Sequence, residues 1–181
     1  MLQGDISIGN LLMREEDSDA SWPAFLIDLD LAIKEQREQS SGARGKTGTR
    51  AFMAIGLLLG EKHSFMHDLE SFFWVLFWIC VHYNKPNERA RVVPEFDTWN
   101  YVAMEELAKL KKGTVGHEGD FLKTVDENFT GYYRSLGPWV NRLRKVVFPN
   151  GGRWEKEDRR LYSRMKDILR AAGEDPEVLA K

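Results

Sequence analysis

The side chains best suited to chemistry stand near the N-terminus. Asp5 and Asn10 lie five positions apart in Gly4-Asp5-Ile6-Ser7-Ile8-Gly9-Asn10, and Asp28 follows the apolar pair in Leu26-Ile27-Asp28-Leu29-Asp30. An aspartate, an asparagine one tight loop later and an aspartate at the end of a strand form a set fitted to phosphoryl transfer. That reaction needs an acceptor for the nucleophile's proton, which Asp5 can be. It also needs hard oxygen ligands for Mg²⁺, and the carboxamide of Asn10 and the carboxylate of Asp28 supply two. The Asp5–Asn10 spacing alone fits an Asx-turn ahead of a strand better than it fits this chemistry, and it is the pairing with Asp28 that narrows the difference.

Such groups need rigid elements to hold them. Leu11-Leu12-Met13 and Phe25-Leu26-Ile27 are brief apolar runs with the polar residues 14–21 between them. That pattern predicts a hairpin-like pair of short strands. Residues 34–50 show no apolar periodicity and are rich in Gly, Ser and basic residues, which predicts a loop. Residues 67–83 are apolar on all sides and predict a helix in the middle of the core, ended by Asn84-Lys85-Pro86-Asn87. Apolar spacing of i, i+4, i+8 predicts three more helices over residues 97–112, 120–136 and 155–172, with Pro138 and residues 149–152 as breaks. The expected fold class is mainly α, with a few short β-strands near the N-terminus, confined to about residues 8–33.

Composition narrows the functional classes. A chain of 181 residues predicts one domain with a proper core, and 43% hydrophobic with 30% charged residues excludes a fully disordered chain. Lys+Arg 26 against Asp+Glu 28 leaves a net charge of −2, which excludes an overall basic nucleic-acid binder. Residues 142–170 hold ten Lys/Arg and four acids, and a solvated helix face is expected there rather than a nucleic-acid surface. Cys80 is the only cysteine, so no internal disulfide or Cys-built zinc site is expected, and the thiol reads as an inert core group. An intracellular location, cytoplasmic or nuclear, follows as an expectation. The N-terminus has no basic stretch followed by an apolar run, so no signal peptide is expected. The longest apolar run, residues 72–81, is ten residues, and a membrane span needs about 20. His63 and His67 stand four apart with no third ligand evident, so metal ligation by this pair is not expected.

Four stretches in order add a resemblance. Asp5-Ile6-Ser7-Ile8-Gly9-Asn10, Ile27-Asp28-Leu29-Asp30-Leu31-Ala32, Gly48-Thr49-Arg50-Ala51-Phe52-Met53-Ala54 and His67-Asp68-Leu69-Glu70-Ser71-Phe72-Phe73 resemble the fungal-type protein kinases, a divergent branch of the eukaryotic protein kinase fold. The resemblance is close over residues 1–82, and the later helices match in pattern only. It implies the helical C-terminal lobe of a protein-kinase-like fold over residues 1–181, with the N-terminal lobe absent. Residues 1–33 would be the catalytic and metal-binding loops, 34–56 the activation segment and 67–172 the helical subdomain. By the same resemblance Asp5 is the catalytic base, and Asn10 and Asp28 hold Mg²⁺. ATP is the phosphoryl donor, and a protein Ser/Thr hydroxyl is the acceptor. Gly48, Thr49 and Arg50 belong to the segment that cradles the acceptor, and Asp68 braces the catalytic-loop backbone. The implied partners are an unidentified protein substrate and a missing or separate N-terminal lobe.

The departures from the family pattern also carry expectations. Gln3-Gly4 stand where His-Arg is usual, Ser7 where a lysine is, Asp30 where a glycine is, and Ile55-Gly56 where Pro-Glu is. Without that arginine, phosphate control through Ser40, Ser41, Thr47 or Thr49 is weakly supported. The buried Glu–Arg pair of the family cannot form at Gly56. No glycine-rich loop and no strand lysine precede Asp5 in these residues, so impaired turnover is expected. One alternative is an inactive pseudokinase remnant acting as a binding module. A second is a small-molecule kinase of the aminoglycoside-phosphotransferase type, against which stand the polar loop 34–50 and the segment 48–54.

Overall fold

A computed structural model describes residues 2–13, 24–30, 32 and 49–180. A 3-10 turn, Ile8–Asn10, leads into strand β1 (Leu11–Met13), which pairs antiparallel with β2 (Ala24–Leu26) in the register Leu11↔Leu26, Leu12↔Phe25, Met13↔Ala24. A second turn, Arg50–Phe52, precedes the short helix α1 (Ile55–Leu58) and the long helix α2 (Phe65–His82). A small hairpin follows, β3 (Tyr83–Lys85) with β4 (Glu88–Arg89). The remainder is helical: α3 (Pro94–Asp97), α4 (Met104–Gly116), α5 (Glu118–Asn128), α6 (Gly137–Val147), α7 (Leu161–Gly173) and α8 (Pro176–Leu179). The fold is mainly helical with short strands, as the sequence leads one to expect.

Helix α2 starts where its sequence can satisfy its own first turn. The Ser64 hydroxyl accepts from the Met66 amide at 3.3 Å, and His67 Nδ1 accepts from the Ser64 amide at 3.1 Å. This is a capping box with histidine in the place usually taken by Glu or Gln. Beyond it the helix buries Phe73, Trp74, Phe77 and Val81 almost completely. Their rings meet those of the surrounding elements edge-on and stacked: Trp74 and Phe77 lie 5.4 and 6.2 Å from Trp99, and Phe73 lies 6.3 and 5.2 Å from Phe121 and Phe148. Each fully buried ring of this size contributes about 1.5–3 kcal/mol by area alone. Helix α2 is therefore the post around which α4–α7 are arranged.

Several boundaries differ from those expected. The helix predicted over 120–136 stops at Asn128, because the next residues turn back onto α2: the Thr130 amide donates to the Cys80 carbonyl at 2.9 Å, and its hydroxyl to the Tyr83 carbonyl at 2.6 Å. Pro138 opens α6 instead of breaking a helix, since proline fits the first helical turn, where its missing N–H has no partner to lose. The helix predicted over 97–112 begins only at Met104, after the short turns 94–100, and runs to Gly116. The one predicted over 155–172 begins at Leu161, because Asp158 caps the turn before it by accepting from the Arg160 amide at 2.9 Å. Strands are not confined to residues 8–33, for residues 84–87 form the tip of the β3–β4 hairpin.

Many cations of residues 142–170 are engaged within the fold. Arg144 is buried and donates to the Val115 carbonyl at 2.7 Å and to Asn141 at 2.9 Å. Lys145 pairs with Glu118, Arg153 with Glu61, and Arg160 and Arg164 with Asp158. No described helix is long and apolar enough to cross a membrane.

Candidate functional site

The site is built outward from the first turn of α2. Asp68 accepts from the Gln3 amide at 2.8 Å and from the Gly4 amide at 3.4 Å, and His63 Nε2 lies 2.7 Å from the same carboxylate. This anchors the start of the loop that carries Asp5. Gly4 turns that loop with φ 85°, a conformation glycine adopts without strain. The sequence passes from this turn through buried Ile6 and Ser7 to the 3-10 turn that presents Asn10.

Asn10 and Asp5 are joined directly. The Asn10 carboxamide nitrogen donates to the Asp5 carbonyl at 2.9 Å and to the Asp5 carboxylate at 3.4 Å. Both partners are pure acceptors, so the amide nitrogen must face them and the amide oxygen must face away. The other Asp5 carboxylate oxygen accepts from the Thr49 amide at 2.8 Å. The Ile27 amide donates to the Asn10 carbonyl at 3.0 Å, which carries the β1–β2 pairing one step further and brings Asp28 to the same end of the ribbon. Asp28 is exposed and sits at φ 57°, a left-handed backbone that aspartate tolerates better than most residues. Among the described residues no side chain pairs with its carboxylate. Arg50 donates to the carbonyls of Tyr101 and Val102 at 3.2 and 3.0 Å, which ties the segment after Thr49 to the turn before α4. Gly48, the greater part of loop 34–50 and the hydroxyls of Ser40, Ser41 and Thr47 lie outside the described residues.

Residues 1–80 match the family model described as fungal protein kinase. The match spans somewhat less than half of the chain and makes this segment similar to the fungal-type protein kinases. No curated protein and no solved structure matches the chain. The kinase family uses ATP and Mg²⁺ in general, and the donor set here fits a hard cation. Asn10 turns a carboxamide oxygen away from Asp5, and Asp28, next to the Ile27 that bonds the Asn10 carbonyl, offers an exposed carboxylate. Two protein oxygens with the remaining positions left to water and phosphate is the usual way proteins hold Mg²⁺.

Gly56 stands where the similar kinases have glutamate, and two other buried side chains hold the neighbouring backbone. Glu70 of α2 accepts from the Ile55 amide at 2.7 Å and from the Trp74 indole N–H at 3.0 Å. Lys111 of α4 donates to the Met53 carbonyl at 2.6 Å, with its ammonium 4.6 Å from the centre of the Trp74 ring. Both side chains are almost wholly buried. Burial pushes the Glu70 carboxyl up and the Lys111 amine down to about 7, while each charge favours the other's ionised form.

Sequence reasoning missed Gln3, His63, Glu70 and Lys111 as contributors to the site's frame. A second carboxylate beyond Asp68, four residues before Trp74 at the start of the apolar run, is the available sign for Glu70. Lys111 gives none, since it stands in the basic run Lys109-Leu110-Lys111-Lys112.

Proposed function

We propose that the Asp5–Asn10–Asp28 cluster is the catalytic and metal-holding half of a phosphotransfer site that moves the terminal phosphoryl group of ATP to a protein Ser/Thr hydroxyl. The observation that carries this reading is the orientation of Asn10. Its nitrogen is committed to Asp5, which turns its oxygen away from that carboxylate, and the Ile27 amide bond to the Asn10 carbonyl brings the backbone next to Asp28 to the same loop. Asn10 and Asp28 would hold Mg²⁺, which when bound with nucleotide neutralises phosphate oxygens. Asp5, steadied by Asn10 and the Thr49 amide, retains lone pairs able to take the proton of an approaching hydroxyl. The bond from Thr49 to Asp5 also places the segment 49–55 directly beside the base, where an acceptor chain would lie. That contact, with the segment tied down at Arg50, favours a protein acceptor over a small molecule.

Turnover by these 181 residues alone is expected to be low. No glycine-rich loop or strand lysine among them positions the phosphates, and positioning is most of the catalysis in this reaction. The test is therefore binding first and transfer second. Mn²⁺ with a non-hydrolysable ATP analogue, followed by electron paramagnetic resonance, should bind the wild-type chain. Affinity should fall at least about tenfold in Asp28→Ala and stay near wild type in Asp5→Asn. A radiolabelled-ATP assay with generic protein substrates should show whatever transfer occurs vanishing in both variants. Nucleotide binding indifferent to Asp28 would overturn the reading.

A further inference from the structure

Gln3 occupies the gap between the two loops of the site, and every polar atom of its side chain is used. Its carboxamide oxygen accepts from the Asp5 amide at 2.7 Å. Its carboxamide nitrogen donates to the Asp28 carbonyl at 3.1 Å and reaches the Ile27 carbonyl at 3.4 Å. Its own backbone amide is fixed by Asp68 at 2.8 Å, and the residue is buried. We infer that Gln3 is a positioning residue of the site, whose carboxamide sets the separation of the Asp5 loop from the Asp28 turn. This inference deepens the phosphotransfer reading above and rests on it for its functional consequence.

The chemistry of the contact is restrictive. The Asp5 amide needs an acceptor, while the two carbonyls need a donor. Only a group carrying both, a few ångströms apart, closes the gap. Glutamate keeps the acceptor and sets a charged oxygen against two carbonyls. Methionine keeps the volume and supplies no N–H. Asparagine keeps the chemistry but is one methylene too short. Neutral histidine carries one N–H and one acceptor nitrogen and can make one bond of each kind. The contact also bears on the backbone of Asp28. Asp28 sits at φ 57° with its side chain exposed, and the bond from Gln3 to its carbonyl helps hold that conformation. Together with the Ile27 amide bond to Asn10 and the Asn10 side-chain bond to Asp5, it closes a ring of hydrogen bonds through all three site residues.

The test compares Gln3→Met, Gln3→Glu and Gln3→His in the full chain with two measurements. Hydrogen exchange resolved by NMR reports the Asp5 amide, whose partner is Gln3, and the environment of residues 27–29. Mn²⁺ with the non-hydrolysable ATP analogue reports the metal site. Gln3→Met and Gln3→Glu should speed exchange at Asp5, shift residues 27–29 and weaken Mn²⁺–nucleotide binding about tenfold or more. Gln3→His should recover part of both, in a way that does not follow the ranking of thermal stabilities. Unchanged exchange at Asp5 and unchanged shifts at 27–29 in Gln3→Met would overturn the inference. So would losses in all three variants that simply track stability. If the wild-type chain binds no Mn²⁺–nucleotide, the phosphotransfer reading fails, while the exchange and shift data still decide whether Gln3 spaces the two loops.

Discussion

Two polar clusters flank the segment 49–55, and they treat similar side chains in opposite ways. At one end Asp5, Asn10 and Asp28 stand at the edge of the fold, partly or fully exposed, and among the described residues no side chain pairs with the Asp28 carboxylate. At the other end Glu70 and Lys111 are sealed in the core, with their polar atoms turned on Ile55, Met53 and Trp74. In the proposed reading the first cluster would bind through groups that are held by backbone and by one another and whose oxygens keep lone pairs. The second fastens the backbone because its groups are buried where an unpaired charge is intolerable. A carboxylate's function in this protein is thus set by what surrounds it and not by its type.

The sharpest way to break this comparison is to remove one of the two buried charges. Lys111→Met leaves the Met53 carbonyl without a donor and Glu70 without its compensating charge. Leaving a buried carbonyl unsatisfied and a buried carboxylate without its balancing charge costs about 2–5 kcal/mol. Combining Lys111→Met with Glu70→Gln should recover a large part of that loss, since the carboxamide oxygen at position 70 can still accept from the Ile55 amide and no charge remains. Urea unfolding of the two single variants and the double variant measures both quantities. A Lys111→Met loss below about 1 kcal/mol would show that the core tolerates the carboxylate alone and would remove the contrast between the clusters.

The two clusters also differ in how well the sequence displays them. Asp5, Asn10 and Asp28 follow one another within a short stretch, and the chain order itself states which loop and which strand must meet. Glu70 and Lys111 are 41 positions apart, and only the packing of α4 against the segment 51–55 brings them to one place. The same physics separates the legible helices from the illegible ones. Helix α2 is legible to within two residues because its apolar residues leave no other solution. Helix α6 is hidden because Pro138 serves equally as a stop or as a first-turn residue, and only tertiary contacts choose between them. The end of α5 and the start of α7 differ from expectation for a like reason. Thr130 and Asp158 redirect the backbone through hydrogen bonds that no periodicity records.

His67 sharpens the comparison by pH. Its ring is buried between the start of α2 and Trp154, whose ring centre lies 5.1 Å away. Burial, with His63 close by, pushes its pKa down to about 4, against a weaker pull from Asp68 and Glu157. Between about pH 4 and 6.5 the unfolded chain therefore binds more protons here than the folded one. Stability from this group is complete above pH 6.5 and is lost as the pH falls towards 4. The expected loss between about pH 7 and 5 is about 1–2 kcal/mol. His67→Gln keeps an acceptor for the Ser64 amide and removes the titration, so it should flatten that part of the profile. Residual slope from His82, whose pKa burial also lowers, should persist in the variant. Identical pH slopes for wild type and His67→Gln would show that the ring is solvated in the folded state.

The smallest effect is expected at Ser64, and it tests whether the exposed cluster depends on the helix beneath it. Ser64→Ala removes the hydroxyl that accepts from the Met66 amide but leaves the His67 bond to the Ser64 amide intact. Losing an N-cap side chain costs about 1 kcal/mol, and with half of the capping box retained the loss should fall at or below that. The consequence should reach beyond the helix end. Asp68 sits in this first turn and holds the Gln3 and Gly4 amides, so fraying there should speed hydrogen exchange at both amides. Ser64→Asp restores an acceptor and adds a negative charge at the helix N-terminus, which the helix dipole favours. It should return both stability and protection to wild type or above. Exchange at Gln3 and Gly4 that ignores Ser64→Ala would show that the loop carrying Asp5 is held by the β1–β2 ribbon and not by α2. The exposed cluster would then be independent of the helix start, and His63 and Asp68 would be caps rather than supports.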